Sequence, residues 1–194
     1  MRRYEARLSG FGGQGIILAG VILAEAAGVH EGRRVVQTQS YGPESRGSAC
    51  KCDVIVGDEA VKYPGVHHPD LLVALSQEAC DKYAGELRSD GLLIYDPLFV
   101  KRPPESVRRA FAVPATQIAE GLGRKIAANM VALGAVAALA GVVGVESLAE
   151  AVVARSPRGT DAGNLAAFRA GIAAAGQVVP STTGSSDGPG GMAR

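Results

Sequence analysis

Apolar and polar positions alternate at the start of the chain and then give way to continuous apolar runs. Tyr4 to Ser9 alternates and stops at Gly10, which predicts a short strand. Ile16 to Ala27 (IILAGVILAEAA) has the apolar density and length of a buried helix. Arg34 to Thr38 predicts a second strand, and the β-branched Asp53 to Val56 a third, before the turn Gly57-Asp58-Glu59. Asp70 to Leu75 is an apolar run of the kind that suits a parallel strand buried on both faces. Ser76 is placed to cap a helix over Gln77 to Leu87, with Glu78 in its first turn, and Ser89-Asp90-Gly91 breaks that helix. Leu92 to Tyr95, ended by Asp96-Pro97, and Ala110 to Val113, closed by Pro114, predict two more strands. Helices are predicted over Thr116 to Leu122, near 126–143, over Val145 to Arg155 and over 163–175. This alternation implies an α/β fold, doubly wound, with a mainly parallel sheet and helices on both faces. Residues 1–176 are expected to form one domain, and the Ser/Gly/Pro-rich stretch 177–194 to be disordered.

Between the first strand and the first helix stands Gly10-Phe11-Gly12-Gly13-Gln14-Gly15. Strand, glycine turn and helix together open a Rossmann-like, mononucleotide-binding βαβ unit. Two readings of the glycines stay open. They let an anion approach the free N–H groups and positive dipole end of the helix, or they only let helix and strand pack closely, through positive φ or a bare Cα. A nicotinamide dinucleotide is disfavoured, because the second strand runs into Gln39, Ser40 and Tyr41 without the carboxylate that holds a ribose. Arg33 and Arg34 sit at the wrong end of that strand for a 2′-phosphate.

Ligands of open α/β sheets bind beyond the carboxyl ends of the strands. That rule brings the glycine turn and the loop Gln39 to Ala49 to one rim. The loop carries Ser40, Tyr41, Gly42, Pro43, Glu44, Arg46 and Gly47. Its proline stiffens the path, its glycines allow positive φ, and loops of this length in compact domains tend to be functional.

Composition removes other classes. The 194 residues suit one domain with a proper core. Lys plus Arg number 20 against 19 Asp plus Glu, so no field attracts nucleic acid or anionic lipid. Tryptophan is absent, which leaves little for base stacking. Cys50, Cys52 and Cys80 make no disulfide framework, and the N-terminus leads straight into a strand, so reduced thiols in a cytoplasm are expected. Cys50-Lys51-Cys52 places two thiols on one strand face, yet the chain lacks the four ligands of a zinc or iron–sulfur site and reads as small apolar residues in a sheet. Ile126 to Val145 is uncharged, but its Ala, Val and Gly content supplies little insertion energy. It suits the inside of a tightly packed protein or a subunit interface rather than a membrane. His30, His67 and His68 offer no nucleophile–base pair and no metal cluster. An anion-ready rim without chemistry of its own fits a subunit of a larger enzyme.

The run Leu8-Ser9-Gly10-Phe11-Gly12-Gly13-Gln14-Gly15, followed by Gln39-Ser40-Tyr41-Gly42-Pro43-Glu44-Ser45-Arg46-Gly47, resembles the gamma subunit of 2-oxoacid:ferredoxin oxidoreductases. Further matches are Pro69 to Leu75, Tyr95-Asp96-Pro97 and Asn129 to Gly134, and Gln77-Glu78-Ala79 with Lys82-Tyr83 is most similar to the 2-oxoglutarate branch. Ser48 departs from the family, which often has a second glycine there. The resemblance implies a complex that decarboxylates a 2-oxoacid on thiamine pyrophosphate, reduces ferredoxin through iron–sulfur clusters and releases an acyl-CoA. Thiamine pyrophosphate, magnesium and the clusters are then expected on alpha, beta and ferredoxin-like delta subunits, since their signatures are missing here. This chain would be inactive alone and would contribute to assembly and the coenzyme A region, through Gly12 to Gly15, Arg46 and Asn129. Two other readings stand beside it: the small subunit of an indolepyruvate-type enzyme, whose loop usually lacks Tyr-Gly-Pro-Glu, and a free-standing nucleotide-binding module.

Overall fold

A computed structural model describes residues 3–40 and 49–178. Six strands, β1 (Tyr4–Phe11), β2 (Arg34–Ser40), β3 (Ala49–Gly57), β4 (Leu71–Ala74), β5 (Leu92–Tyr95) and β6 (Arg109–Ala112), form one sheet in the order β2-β3-β1-β4-β5-β6. β1, β4, β5 and β6 run parallel, as continuous apolar strands buried on both faces require. β3 is the exception, because it lies antiparallel between β2 and β1. The first strand–helix–strand unit therefore does not close on itself: β1 and β2 point the same way but share no hydrogen bonds.

The third strand is also longer than its β-branched segment predicts. Ala49-Cys50-Lys51-Cys52-Asp53 continues the alternation N-terminally, with Cys50 and Cys52 buried. Their face meets α1 (Ile16–Glu25), which crosses so closely that a Cβ on Gly20 would fall 2.1 Å from the Cys52 sulfur. Helix α1 stops two residues short of its predicted end. A wider turn follows over Ala26–His30, in which the Glu31 N–H reaches the Ala26 carbonyl five residues back at 3.1 Å.

The strands sort their side chains by parity. Ala6, Leu8, Val54, Leu71, Val73, Leu92, Ile94 and Phe111 face the larger core, built with α1, α3 (Ala115–Gly121), α4 (Ala128–Ala140), α5 (Val145–Arg155) and α6 (Asp161–Ala175). Leu72, Ala74, Leu93, Tyr95 and Ala110 face the smaller core against α2 (Gln77–Tyr83). Helices thus cover both faces, unevenly. Ser76 caps α2 as predicted, its hydroxyl accepting from the Ala79 N–H at 3.2 Å. The helix ends at Tyr83 rather than Leu87, and a tighter turn carries the chain through Glu86.

The long apolar helix is shorter than predicted and ends at Gly141, whose φ of 59° is left-handed. Nine of its residues, from Asn129 to Ala137, are buried within this chain, where α4 crosses α6. Among the described residues no helix is long and apolar enough to cross a membrane. Of the stretch 177–194 expected to be disordered, Gln177 and Val178 are described, their N–H groups bonded to the Ala174 and Ala175 carbonyls, and residues 179–194 lie outside the described residues.

Candidate functional site

The sheet reverses its order of connection at β1, so the crevice beside the end of β1 is where such folds hold ligands. Gln14 spans that crevice. Its Nε2 donates to the Leu75 carbonyl at 2.9 Å, beyond β4, and its Oε1 accepts from the Phe11 N–H at 2.6 Å. The Gln14 N–H closes the turn onto the Phe11 carbonyl at 3.2 Å. The side-chain amide thus occupies a backbone donor that a ligand oxygen could otherwise take.

The glycines of the turn separate by what surrounds them. A Cβ on Gly10 would lie 2.4 Å from Gln14 Oε1, and one on Gly15 would lie 2.4 Å from Asn129 Nδ2. Gly15 also has a φ of 73°. These two glycines serve packing inside the chain. Asn129, 3% exposed at the start of α4, donates through Nδ2 to the Gly15 carbonyl at 3.2 Å and so ties the turn to that helix. Among the described residues, Gly12 and Gly13 have nothing within 4 Å of a Cβ. Gly13, at φ 94°, needs its conformational freedom, whereas Gly12 shows neither a positive φ nor a close neighbour. No described residue crowds Gly12 or Gly13, and the helix behind them has no acidic residue in its first turn.

Beside the turn lies a cavity of about 630 Å³, lined by Gly13, Gln14, Phe99, Thr116, Arg124, Lys125 and Ile126. Thr116 on its wall is held by Asp96, just past β5 and 1% exposed. One Asp96 oxygen accepts from the Thr116 N–H at 2.8 Å and hydroxyl at 2.7 Å, the other from the Leu98 N–H at 2.9 Å. Tyr95-Asp96-Pro97 is thus a staple between the end of β5 and the first turn of α3. On the lip, Lys125 pairs with Glu120 at 3.1 Å. Arg124 Nη2 reaches Asn164 Oδ1 at 3.4 Å, while its Nε is shielded from solvent without a partner among the described residues.

Of the second loop, Ser40 is described, exposed at the end of β2 and opposite Lys51. Tyr41, Gly42, Pro43, Glu44, Arg46 and Gly47 lie outside the described residues. The register pairs Ala49 with Phe11, so the chain leaves that loop directly beside the glycine turn.

A cluster that the sequence reading missed lies on the opposite sheet face. Arg7 is 1% exposed in the middle of the sheet. It donates to both Asp53 oxygens, at 2.7 and 3.1 Å, to the Val66 carbonyl at 2.9 Å and to Glu86, and lies 4.8 Å from the centre of the Tyr83 ring. Burial pulls its pKa down, but the two carboxylates outweigh this and hold it above the ordinary arginine value. The alternation of Tyr4 to Ser9 carries no sign that one of its charged residues faces inward. Its partner is visible only once β3 is known to lie beside β1. Elsewhere, burial pushes the Cys52 and Cys80 thiols up to about 11, which keeps them protonated and unreactive at neutral pH. No group of three metal-ligating side chains occurs among the described residues.

This architecture, a Rossmann-like sheet with its turn plugged by glutamine and a stapled cavity beside it, has known relatives. The sequence profile described as pyruvate ferredoxin/flavodoxin oxidoreductase matches residues 5–174, and the chain belongs to that family of oxidoreductase subunits. Among curated relatives, the 2-oxoglutarate synthase subunit KorC of Methanocaldococcus jannaschii is 46% identical over 172 residues, 87% of this chain and 92% of the relative. Among solved structures, the gamma subunit of the keto/oxoacid ferredoxin oxidoreductase of Geobacter sulfurreducens is 45% identical, with a TM-score of 0.83 over 90% of this chain and 97% of its own. The fold alone is shared with a chain of the 2-oxoglutarate:ferredoxin oxidoreductase of Magnetococcus marinus, solved with 2-oxoglutarate, coenzyme A and succinyl-CoA. That likeness has 24% identity and a TM-score of 0.81, covering 94% of this chain but 32% of that one. The chain is thus of the gamma-subunit kind within the 2-oxoacid:ferredoxin oxidoreductases.

Proposed function

We propose that this chain is the gamma subunit of a cytoplasmic, thiamine pyrophosphate-dependent 2-oxoglutarate:ferredoxin oxidoreductase. The complex would convert 2-oxoglutarate, CoA and oxidised ferredoxin to succinyl-CoA, CO₂ and reduced ferredoxin. The 46% identity to a 2-oxoglutarate synthase subunit, across nearly the whole of both chains, carries the reading. Thiamine pyrophosphate, magnesium and the iron–sulfur clusters belong in this reading to alpha, beta and delta partners, and the gamma chain supplies assembly and part of the path of CoA.

The residues present suit that last role. The open backbone at Gly12 and Gly13, before a helix N-terminus without acidic residues, is compatible with a phosphate. Arg124 and Lys125 add cations at the lip of the cavity. CoA would supply the thiol that accepts the acyl group, while this chain's residues would bind and orient its anionic end. Arg46, Tyr41, Glu44 and the rest of the loop from Ser40 to Gly47 remain in the proposal on the strength of the family motif.

The test is the native complex, purified with this chain and assayed with several 2-oxoacids. CoA-dependent ferredoxin reduction should be fastest with 2-oxoglutarate, and the isolated chain should be inactive. A preference for another 2-oxoacid would reassign the substrate. A chain isolated only as a lone monomer would remove the subunit reading.

A further inference from the structure

The Gln14 side chain is held in a place made for it. A Cβ on Gly10 would fall 2.4 Å from its Oε1, so the amide enters the space that the bare Cα of Gly10 leaves open. From there it spans the crevice, Nε2 donating to the Leu75 carbonyl at 2.9 Å and Oε1 accepting from the Phe11 N–H at 2.6 Å. Leu75 is fixed in turn, because its N–H donates to the Ser9 carbonyl at 2.9 Å. One partly buried side chain thereby ties the glycine turn to the ends of β1 and β4.

The crevice between β1 and β4 is where a doubly wound fold takes a pyrophosphate. Here the amide fills it and uses the Phe11 N–H, while the Gln14 N–H turns back to the Phe11 carbonyl. Among the described residues nothing accepts from the Gly12 or Gly13 N–H, and Gly13 borders the 630 Å³ cavity. The donors left to a ligand are therefore on the cavity side. Glycines lose more conformational freedom on ordering than other residues, and no described side chain crowds these two. A clamp at the neighbouring residue removes part of that cost before a ligand arrives. Being neutral, the amide does this without placing a negative charge beside an incoming anion.

We infer that Gln14 is a positioning residue for the step that consumes CoA, an inference that rests on the functional reading above. Its amide closes the crevice and presets the turn, so that the anionic end of CoA is taken on the cavity side of Gly12 and Gly13 and not between β1 and β4. Gln14 acts through the backbone it holds and does not itself have to touch CoA. Gly10 belongs to the same device, since any larger residue there would press on the amide oxygen.

The test uses the native complex carrying wild type, Gln14→Ala or Gln14→Glu, and reads KM for CoA, kcat, decarboxylation without CoA, and assembly. Gln14→Ala should raise KM for CoA about tenfold, with kcat at saturating CoA, decarboxylation without CoA and assembly at wild-type values. Gln14→Glu supplies a readout that a merely structural clamp would not move. Its carboxylate cannot donate to the Leu75 carbonyl at about pH 8, whereas the protonated carboxyl, favoured by that facing carbonyl, donates in the place of Nε2 as the pH falls to about 6. Its KM for CoA, taken relative to wild type at each pH, should then drop below that of Gln14→Ala and approach the wild-type value. A wild-type KM in Gln14→Ala overturns the inference. So does a drop in Gln14→Glu that stops at the Gln14→Ala value, which would mean relief of charge repulsion alone. Failed assembly with equal loss in both half-reactions also overturns it, because Gln14 would then serve folding only. A wild-type complex whose turnover does not depend on CoA overturns the functional reading first, and this inference with it.

Discussion

Asp96 has both carboxylate oxygens engaged by three donors in a place water does not reach. Removing the acceptor in Asp96→Ala strands those donors and should lower stability by about 3 kcal/mol, read from the urea midpoint. Asp96→Asn should cost less, because its oxygen can still serve both Thr116 donors. An unchanged midpoint in Asp96→Ala would show that the staple is dispensable. The glycine turn offers a sharper comparison. Gly15→Ala should disrupt the isolated chain, for its φ is positive and its Cβ would press on Asn129. Gly12→Val should leave the isolated chain folded, so its effect on the complex reports on what approaches from outside. A raised KM for CoA alone would support a ligand role, lost assembly would indicate partner docking, and no effect would remove Gly12 from both. The buried thiols set an alkaline limit. Burial raises Cys52 and Cys80 from 9.0 to about 11, so unfolding releases a proton from each thiol between those values. Stability is then full below pH 9 and should fall by about 3 kcal/mol per thiol as the pH rises to 11. A urea-midpoint profile that stays flat over this range would contradict it. Much of this was illegible in the sequence for one physical reason. Arg7 in an alternating strand looks solvent-facing, and the Gly12–Gly15 spacing does not say which glycine is crowded, because both facts are decided by residues far away in the chain.

Helices α4 and α6 cross at two glycines. A Cβ on Gly134 would lie 2.0 Å from the Phe168 carbonyl oxygen, and one on Gly171 would lie 1.9 Å from that of Val131. Both obstacles are backbone, which cannot swing aside, so even a methyl group has to push the helices apart. Gly134→Ala should therefore destabilise the chain by about 3 kcal/mol and lower its melting temperature; an unshifted melt would show that the crossing can relax. Local pattern located most elements to within a few residues, because continuous apolar runs and breakers such as Ser89-Asp90-Gly91 act locally. Strand direction is not local. β3 carries the same alternation whichever way it runs, and only its pairing with both β1 and β2 makes it antiparallel. The Ala-rich run read as core or subunit interface is core, packed by its own chain. Its first residue, Ile126, is nevertheless exposed, and composition cannot separate it from the buried residues Asn129 to Ala137 that follow.

On the scale of the whole molecule, the two sheet faces divide the work. One bears the larger core and the helices that reach the glycine turn and the lip. The other holds Arg7, which gathers β3, the connection at Val66 and the turn after α2 around β1. Several matched residues of the family motif fall at constraints within this chain: Gly10 against Gln14, Asn129 against Gly15, and Asp96 against Thr116. The insertion of β3 also bears on how the chain reaches this state. A strand–helix–strand segment that paired with itself could fold as soon as it left the ribosome, but β1 and β2 share no ladder. The first pairing available at short range is that of β2 with β3, and β1, made earliest, has to wait until that hairpin exists before it is captured alongside it. A peptide of residues 3–40, although it reads as a self-contained unit, should show no sheet signal by circular dichroism, whereas one of residues 3–57 should gain it. Native-like sheet in the shorter peptide would mean that β1 finds order without its neighbour.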